Sequence, residues 1–171
     1  MENNYTYIDL DGVILDSEDR MLERKALAGF QNHNDKNQFL KYFEYTNLHP
    51  EEWEYIIRDA KSVNNSVEII HELQKMKENV AILTKIHTLY EMKVKLQDLR
   101  NHRQIYIPII FVPPGIKKHE MVIPNHQLLI DDSEKNVNNW ILHGGKGLIF
   151  DKLIEKDEIN KVKSLEFLLK R

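Results

Sequence analysis

The sequence contains no cysteine, and this absence excludes several kinds of chemistry. Without a thiol in its 171 residues, the chain has no disulfide, no thiolate metal site and no cysteine nucleophile. No apolar stretch approaches the roughly 20 residues that a membrane-spanning helix requires. The residues after Met1 also lack the basic and apolar regions of a secretion signal. We therefore expect a soluble, cytoplasmic protein.

The chain also lacks a large excess of charge of either sign. Its formal net charge is -3, so it has no overall basic field of the kind that attracts nucleic acid or anionic membranes. Hydrophobic residues make up 42% of the chain and charged residues 30%, which is typical of a folded protein with a core. The length predicts one domain that carries a small insertion at most.

Five short apolar runs recur along the chain, and each ends abruptly at polar residues. Runs of this length that are apolar on both faces are typical of buried parallel strands. They lie at residues 5–8, 80–83, 107–112, 127–130 and 147–150.

Helical patterns alternate with these runs, at residues 66–77, 89–99, 133–140 and 159–169. The alternation predicts right-handed crossovers and an α/β fold with a doubly wound parallel sheet. In such a sheet the ligand binds at the carboxyl ends of the strands, where the strand order reverses. In the second helix, the residues expected to face the core are Met92, Leu96 and Leu99.

One stretch interrupts the alternation. Between residues 18 and 65 there is no convincing buried strand, whereas helical patterns occur at 21–30, 38–45 and 51–60. We predict a small helical cap at 18–65, inserted after the first strand into a core formed by residues 1–17 and 66–171.

Two carboxylates follow the first predicted strand. In Asp9-Leu10-Asp11-Gly12 an extended backbone points both acids to one side, and Gly12 permits a sharp turn. One carboxylate can attack phosphorus, and the second can protonate a leaving oxygen and later deprotonate water. We therefore predict Asp9 as nucleophile and Asp11 as acid and base. Both could instead be ordinary turn residues, because Asp and Gly favour turns.

Other strand ends supply groups that suit a metal and a phosphate. Asp131 and Asp132 offer hard oxygen ligands for Mg²⁺ opposite Asp9, although Asp also commonly caps a helix. Thr84 offers its hydroxyl to a phosphate oxygen, and the backbone amides that begin at Lys85 offer further donors. Thr84 could equally be an ordinary residue at a strand end.

A cation is expected near this phosphate, from the pair Lys117 and Lys118. We favour Lys118, because it begins a plausible helix that leads to the fourth strand; its neighbour is then a solvated surface residue. The eight histidines show no zinc-binding spacing. His87 is of interest because it follows Thr84.

These residues together resemble the motifs of the haloacid dehalogenase-like (HAD) superfamily. The stretch from Ile8 to Val13 looks like its first motif, Thr84 its second and Lys118 its third. Leu129-Ile130-Asp131-Asp132, with Asn136, resembles the fourth. The resemblance implies Asp9 as nucleophile and metal ligand and Asp11 as acid/base and as a metal ligand through its carbonyl oxygen. It also implies a Mg²⁺ cofactor, with Asp132 as a direct ligand and Asp131 in support.

The later part of the chain is similar to the 5'(3')-deoxyribonucleotidase-like branch of that superfamily, through residues 131–136, Trp140, Gly144-Gly145 and residues 148–151. This resemblance implies a nucleotidase that acts on (deoxy)nucleoside monophosphates as small-molecule substrates. After Thr84 the chain departs from that branch, with Lys85-Ile86-His87 in place of a small or proline-containing run. Two alternatives stay open: a phosphatase of another small phosphomonoester such as a sugar phosphate, and a non-catalytic binding protein.

Overall fold

The computed structural model describes residues 4–30 and 36–170. Its strands form one six-stranded parallel sheet in the order β3-β2-β1-β4-β5-β6. The strands are β1 (Thr6–Ile8), β2 (Val80–Lys85), β3 (Ile109–Val112), β4 (Leu128–Asp131), β5 (Lys146–Phe150) and β6 (Lys161–Val162). The α-helices are α1 (Ser17–Leu27), α2 (Lys36–Leu48), α3 (Glu52–Arg58), α4 (Ser66–Met76), α5 (Leu89–Gln97), α6 (Lys118–Met121) and α7 (Glu134–Leu142).

The predicted α/β fold with a doubly wound parallel sheet is confirmed, and all five predicted strands are present. Both faces of the sheet are buried, as continuous apolar runs require. Ile8 of β1 packs into the larger core together with α4, whereas its neighbour Tyr7 points into a second core on the other face. There the ring of Trp140 meets Tyr7 edge-on, with 5.4 Å between the ring centroids.

The prediction of a helix at residues 159–169 is wrong. Lys161 and Val162 form β6, which pairs with Ile149 and Phe150, and a 3₁₀ helix follows at Glu166–Lys170. The buried residues Val162, Leu165 and Leu168 are three positions apart. An edge strand followed by a 3₁₀ turn produces this spacing as readily as an α-helix does.

The predicted inner face of α5 is also wrong for Leu96, whose exposed fraction is 39%. The helix instead buries Glu91, Val94 and Lys95, and continues as a π-helical turn at Asp98–His102. Burying charged side chains is costly unless they are paired. The partners of the two buried charges lie in the candidate site and account for this orientation of the helix.

Helices α1, α2 and α3 form a unit, the three-helix segment, between β1 and α4. Tyr42, Trp53, Ile56 and Ile57 make its small core, which also packs against Val94 of α5. Arg24 of α1 donates two hydrogen bonds to Glu52 of α3, at 2.9 and 2.6 Å. Within the described ranges, no helix is both long and apolar enough to cross a membrane.

The order of the strands places β1 next to β4, where the chain changes its direction of progress across the sheet. Ile8 is paired with Ile130, and the backbone N–H of Asp9 donates to the carbonyl oxygen of Ile130 at 2.9 Å. The residues that directly follow β1 and β4 therefore meet at the switch point, where open α/β sheets bind their ligands.

Candidate active site

Asp9 leaves β1 at the switch point and is paired with a buried lysine. Lys118 Nζ lies 2.8 Å from Asp9 Oδ1 and 2.6 Å from Asp131 Oδ2, and only 2% of the lysine side chain is exposed. The other candidate lysine, Lys117, is exposed and lies beside Glu120. Of the two candidates, the structure thus brings Lys118 to the strand ends, at the start of the short helix α6.

Three carboxylates converge at this point. Oxygen atoms of Asp9, Asp131 and Asp132 all lie within 4.8 Å of one another. Burial raises the pKa of Asp9 well above its usual value; Lys118 opposes the change, and the neighbouring acids add to it. Burial, with repulsion from Glu18 and then Asp131, raises the pKa of Asp132 to about 7. One ammonium group therefore does not neutralise three acids.

The roles of the two adjacent aspartates differ. Asp131 is fully buried, and donors hold both of its oxygens: Lys118 on Oδ2, the Ser133 backbone N–H on Oδ1 at 2.9 Å, and the Asn136 amide on both at 3.1 Å. Asp132 is only partly buried, and no side chain or backbone group in the described ranges donates to it. Asp132 is therefore the carboxylate that is free to bind a cation directly.

Gly12 brings the turn after β1 against Asp132. Its φ of +74° lies in the left-handed region, which residues that have a Cβ atom rarely adopt. A Cβ at this position would also overlap the Asp132 carboxylate. The glycine predicted from its turn chemistry therefore has a second function, because it gives Asp132 room beside Asp9.

Asp11 lies apart from the carboxylate cluster, on the side of β2. Its Oδ1 accepts a hydrogen bond from Ser17 Oγ at 2.6 Å, and its Oδ2 accepts from Lys95 Nζ at 2.6 Å and Thr84 Oγ1 at 3.1 Å. Burial alone would raise the pKa of Asp11, but Lys95, Ser17 and Thr84 together lower it. The side chain is therefore ionised and held at both oxygens.

Thr84 and Lys85 occupy different surroundings. The Thr84 side chain is fully buried and directed at Asp11, so its hydroxyl does not line the cavity beside the site. Lys85 is exposed, its Nζ donates to Asn136 Oδ1 at 3.3 Å, and it does line this cavity. The predicted phosphate contact of Thr84 thus has less structural support than that of Lys85.

Several residues of the site were missed by the sequence reasoning, among them the buried pair Lys95 and Glu91. Lys95 contacts Asp11 directly, and Glu91 Oε1 lies 2.7 Å from Lys95 Nζ. A Glu and a Lys four positions apart usually form an exposed pair on a helix. Their one distinguishing signal is position, because both lie on the helix that follows the strand containing Thr84.

A cavity of about 180 Å³ opens between these residues and the three-helix segment. Asp9, Asp11 and Asp132 lie at its base, and Met21, Trp53, Ile56 and Ile57 form an apolar wall. His87 also lines it; the imidazole is stacked on Phe43, with centroids 4.3 Å apart, and lies 5.8 Å from Trp53. Among the described residues that line it, Lys85 is the one permanent cation.

The donor set at the base of the cavity fits a hard divalent cation. Mg²⁺ prefers carboxylate, carbonyl and water oxygens, and keeps several of its waters. Asp9 and Asp132 could supply carboxylate oxygens to it, and Asp131 stabilises Lys118 and the turn at Ser133. The close approach of three carboxyl groups that share one lysine is the observation that supports a metal site here.

No protein-family model matches the sequence, and no curated protein is significantly similar to it. Solved structures do resemble the fold. The HAD hydrolase YfnB of Bacillus subtilis, bound to magnesium, superposes with a TM-score of 0.64 at 14% identity, over 99% of this chain and 98% of that one.

Two further structures show the same fold. A family IA HAD hydrolase of Entamoeba histolytica matches with a TM-score of 0.57 at 11% identity, over 90% of this chain and 86% of that one. CbbY of Rhodobacter sphaeroides, in complex with xylulose-1,5-bisphosphate, matches with a TM-score of 0.60 at 12% identity, over 94% of both chains. The chain therefore has the fold of the HAD hydrolases.

Proposed function

We propose that the chain is a magnesium-dependent phosphomonoester hydrolase that works through an aspartyl-phosphate on Asp9. The environment of Asp9 at the switch point is the observation that supports this proposal. The residue is buried, paired with Lys118, and faces a cavity that it shares with Asp11 and Asp132. Phosphoryl transfer depends mainly on positioning and on neutralising negative charge, which Lys118 and a cation held at the cluster would supply together.

In the first step a carboxylate oxygen of Asp9 attacks phosphorus, and the bond between phosphorus and the leaving oxygen breaks. Lys118 keeps the Asp9 carboxylate oriented and favours its ionised form, against the opposing effects of burial and of repulsion from Asp131. The leaving oxygen takes up one proton from solvent, and Asp11, which lines the cavity, relays it by binding the proton transiently. The products of the step are a free alcohol and phosphorylated Asp9.

In the second step water attacks the same phosphorus atom. Asp11 accepts a proton from this water, the bond between phosphorus and Asp9 breaks, and inorganic phosphate leaves. The lowered pKa of Asp11 keeps it in the basic form that this step needs. Lys85, which lines the cavity with Asn136, is available to hold the phosphate oxygens.

Mg²⁺ would be held by the carboxylates of Asp9 and Asp132 and by the carbonyl oxygen of Asp11. When bound, it supplies positive charge that offsets the cluster and the phosphate. YfnB, which shares the fold, was solved with magnesium. The three-helix segment acts as the cap, because its apolar wall excludes water from the base of the cavity.

For the substrate we propose a (deoxy)nucleoside monophosphate. The wall formed by Met21, Trp53, Ile56 and Ile57 suits an uncharged, partly apolar leaving group, and the His87 ring adds an aromatic surface. A single permanent cation among the described lining residues suits one phosphate and disfavours a bisphosphate.

A sugar monophosphate is the second candidate. It is supported by CbbY, which shares the fold and was solved with a sugar bisphosphate. The apolar wall favours a nucleoside over a sugar, because hydroxyl groups buried against apolar side chains lose their hydrogen bonds to water. A dehalogenase is disfavoured by Asp11, since a halide leaves without a proton and needs no acid beside the nucleophile.

The test is phosphate release from a panel of nucleoside monophosphates, sugar phosphates and an aryl phosphate, measured with Mg²⁺ and with chelator. Asp9→Asn provides the blank. We expect release that requires Mg²⁺, is lost in Asp9→Asn and is fastest with a nucleoside monophosphate. A preference for sugar monophosphates would overturn the substrate assignment. No release from any compound would overturn the hydrolase and leave the fold as a binding protein.

A further inference from the structure

Lys95 is a buried cation that the two proposed steps do not use. It lies on α5 with 1% of its side chain exposed. Its ammonium contacts four oxygen atoms: Asp11 Oδ2 at 2.6 Å, Glu91 Oε1 at 2.7 Å, the Lys85 carbonyl at 2.9 Å and Thr84 Oγ1 at 3.4 Å. These contacts occupy all three of its N–H donors, so the position of the ammonium is fully determined.

Glu91 fixes the other side of this ammonium. Its side chain is 2% exposed, and its Oε2 accepts a hydrogen bond of 2.6 Å from the backbone N–H of His87 and lies 3.2 Å from His87 Nδ1. Glu91 therefore links Lys95 to the loop between β2 and α5. The ammonium is held by Asp11, by the end of β2 and by Glu91 of its own helix, rather than by solvent.

The consequence concerns the place of the Asp11 carboxylate. Lys95 and Thr84 hold one oxygen and Ser17 holds the other, so the carboxylate is turned away from the cluster of Asp9, Asp131 and Asp132. A buried ion pair adds little net stability, because desolvation offsets the attraction between its charges. Stability alone is therefore a weak reason for this arrangement.

We propose that Lys95, anchored by Glu91, is a positioning residue that holds the Asp11 carboxylate at the edge of the cavity and outside the metal-binding cluster. This inference rests on the proposed hydrolase function. It means that helix α5, behind the active site, determines the position of the proton-transfer group without contacting the substrate.

The test uses the double variant Glu91→Gln/Lys95→Met, which removes both buried charges and keeps the side chains similar in size. An alkyl phosphate and p-nitrophenyl phosphate are compared by kcat/KM, which reports the first chemical step. The alkoxide needs a proton to leave, whereas p-nitrophenolate does not. We expect kcat/KM to fall about 10- to 100-fold for the alkyl phosphate, because general acid catalysis is lost. The factor by which kcat/KM falls for the aryl phosphate should be smaller by about tenfold or more.

The matched control is Glu72→Gln/Lys75→Met, which removes an exposed ion pair on α4 whose Nζ and Oε1 atoms are 2.7 Å apart. It should leave both kcat/KM values unchanged. An equal fall with both substrates in the α5 variant would overturn the positioning role, because general damage to the site affects all substrates alike.

Crystal structures of the wild type and the α5 double variant test the inference without activity. We expect the Asp11 carboxylate to leave Thr84 in the variant. An unchanged distance from Asp11 Oδ2 to Thr84 Oγ1 would overturn the inference. If the wild type hydrolyses neither phosphate, the proposed function fails, and this structural comparison still decides whether Lys95 positions Asp11.

Discussion

Lys118 Nζ bridges Asp9 and Asp131, at 2.8 and 2.6 Å, across the boundary between the two halves of the sheet. The bridge joins the residue after β1 to the last residue of β4. It sets the orientation of the proposed nucleophile and balances part of the charge of the cluster, and the first prediction follows from it.

Lys118→Met should lower kcat by at least about 100-fold, because the removal of one preorganised positive group from a reacting centre typically has an effect of this size. Phosphate release at saturating substrate measures it, with a thermal melt to confirm that the variant is folded. Lys117→Met is the matched control, since Lys117 is exposed, and should stay within about twofold of the wild type. A larger loss in Lys117→Met than in Lys118→Met would reverse the assignment.

The Asp132 carboxyl should make the metal-free protein less stable as the pH rises. Its pKa in the folded chain is raised to about 7 from the ordinary 3.8, so the fold favours the protonated form. The stabilisation is therefore complete below about pH 4 and is lost as the pH rises through about 7. Asp132→Asn should remove this decline. The free energy of unfolding of the variant, relative to that of the wild type, should therefore increase between about pH 5 and pH 7.5.

Urea unfolding in chelator at the two pH values measures this difference. The exposed Glu134→Gln serves as the control and should run parallel to the wild type. If Asp132→Asn also runs parallel to the wild type, the Asp132 carboxyl does not have a raised pKa.

Magnesium should stabilise the wild type against heat. A ligand that binds the folded chain alone adds RT ln(1 + [L]/Kd), which is about 2.7 kcal/mol at a hundredfold excess over Kd. The melting temperature should therefore rise with Mg²⁺ concentration in the wild type and stay constant in Asp132→Asn. The same rise in both proteins would place the ion elsewhere.

Gly12→Ala should damage the site twice over. The residue has a positive φ, and an added Cβ would displace the Asp132 carboxylate. We expect a loss of about 1–3 kcal/mol of stability and a loss of the magnesium-dependent rise in melting temperature. Gly29→Ala is the control, because Gly29 has a similar φ of +91° with nothing within 4 Å of an added Cβ. It should lose stability and keep the response to magnesium.

The sequence was sufficient to predict five of the six strands and the acids at the strand ends. Buried parallel strands are apolar on both faces, so their ends are visible as abrupt changes at Asp9, Thr84 and Asp131. Parallel topology then requires these ends to lie at one edge of the sheet. The choice of Lys118 over Lys117 rested on a different pattern, namely that Lys118 begins the helix leading to the fourth strand.

The buried charges of α5 could not be predicted in this way. Glu91 and Lys95 have the spacing of an ordinary surface pair, and their burial depends on Asp11, which is 84 positions away from Lys95 along the chain. Leu96 was expected inside and is exposed, because the helix turns its charged side towards the site. No local pattern records a long-range pairing of this kind.

The stacking of His87 on Phe43 connects the three-helix segment to Asp11 through a continuous series of contacts. His87 donates a hydrogen bond to Glu91, and Lys95 is paired with both Glu91 and Asp11. These contacts link Phe43 of α2 to Asp11, the group proposed to move the proton. Any displacement of the three-helix segment would remove the contact of the His87 imidazole with Phe43. The wall of the cavity and the carboxylate proposed to move the proton are therefore parts of one connected structure.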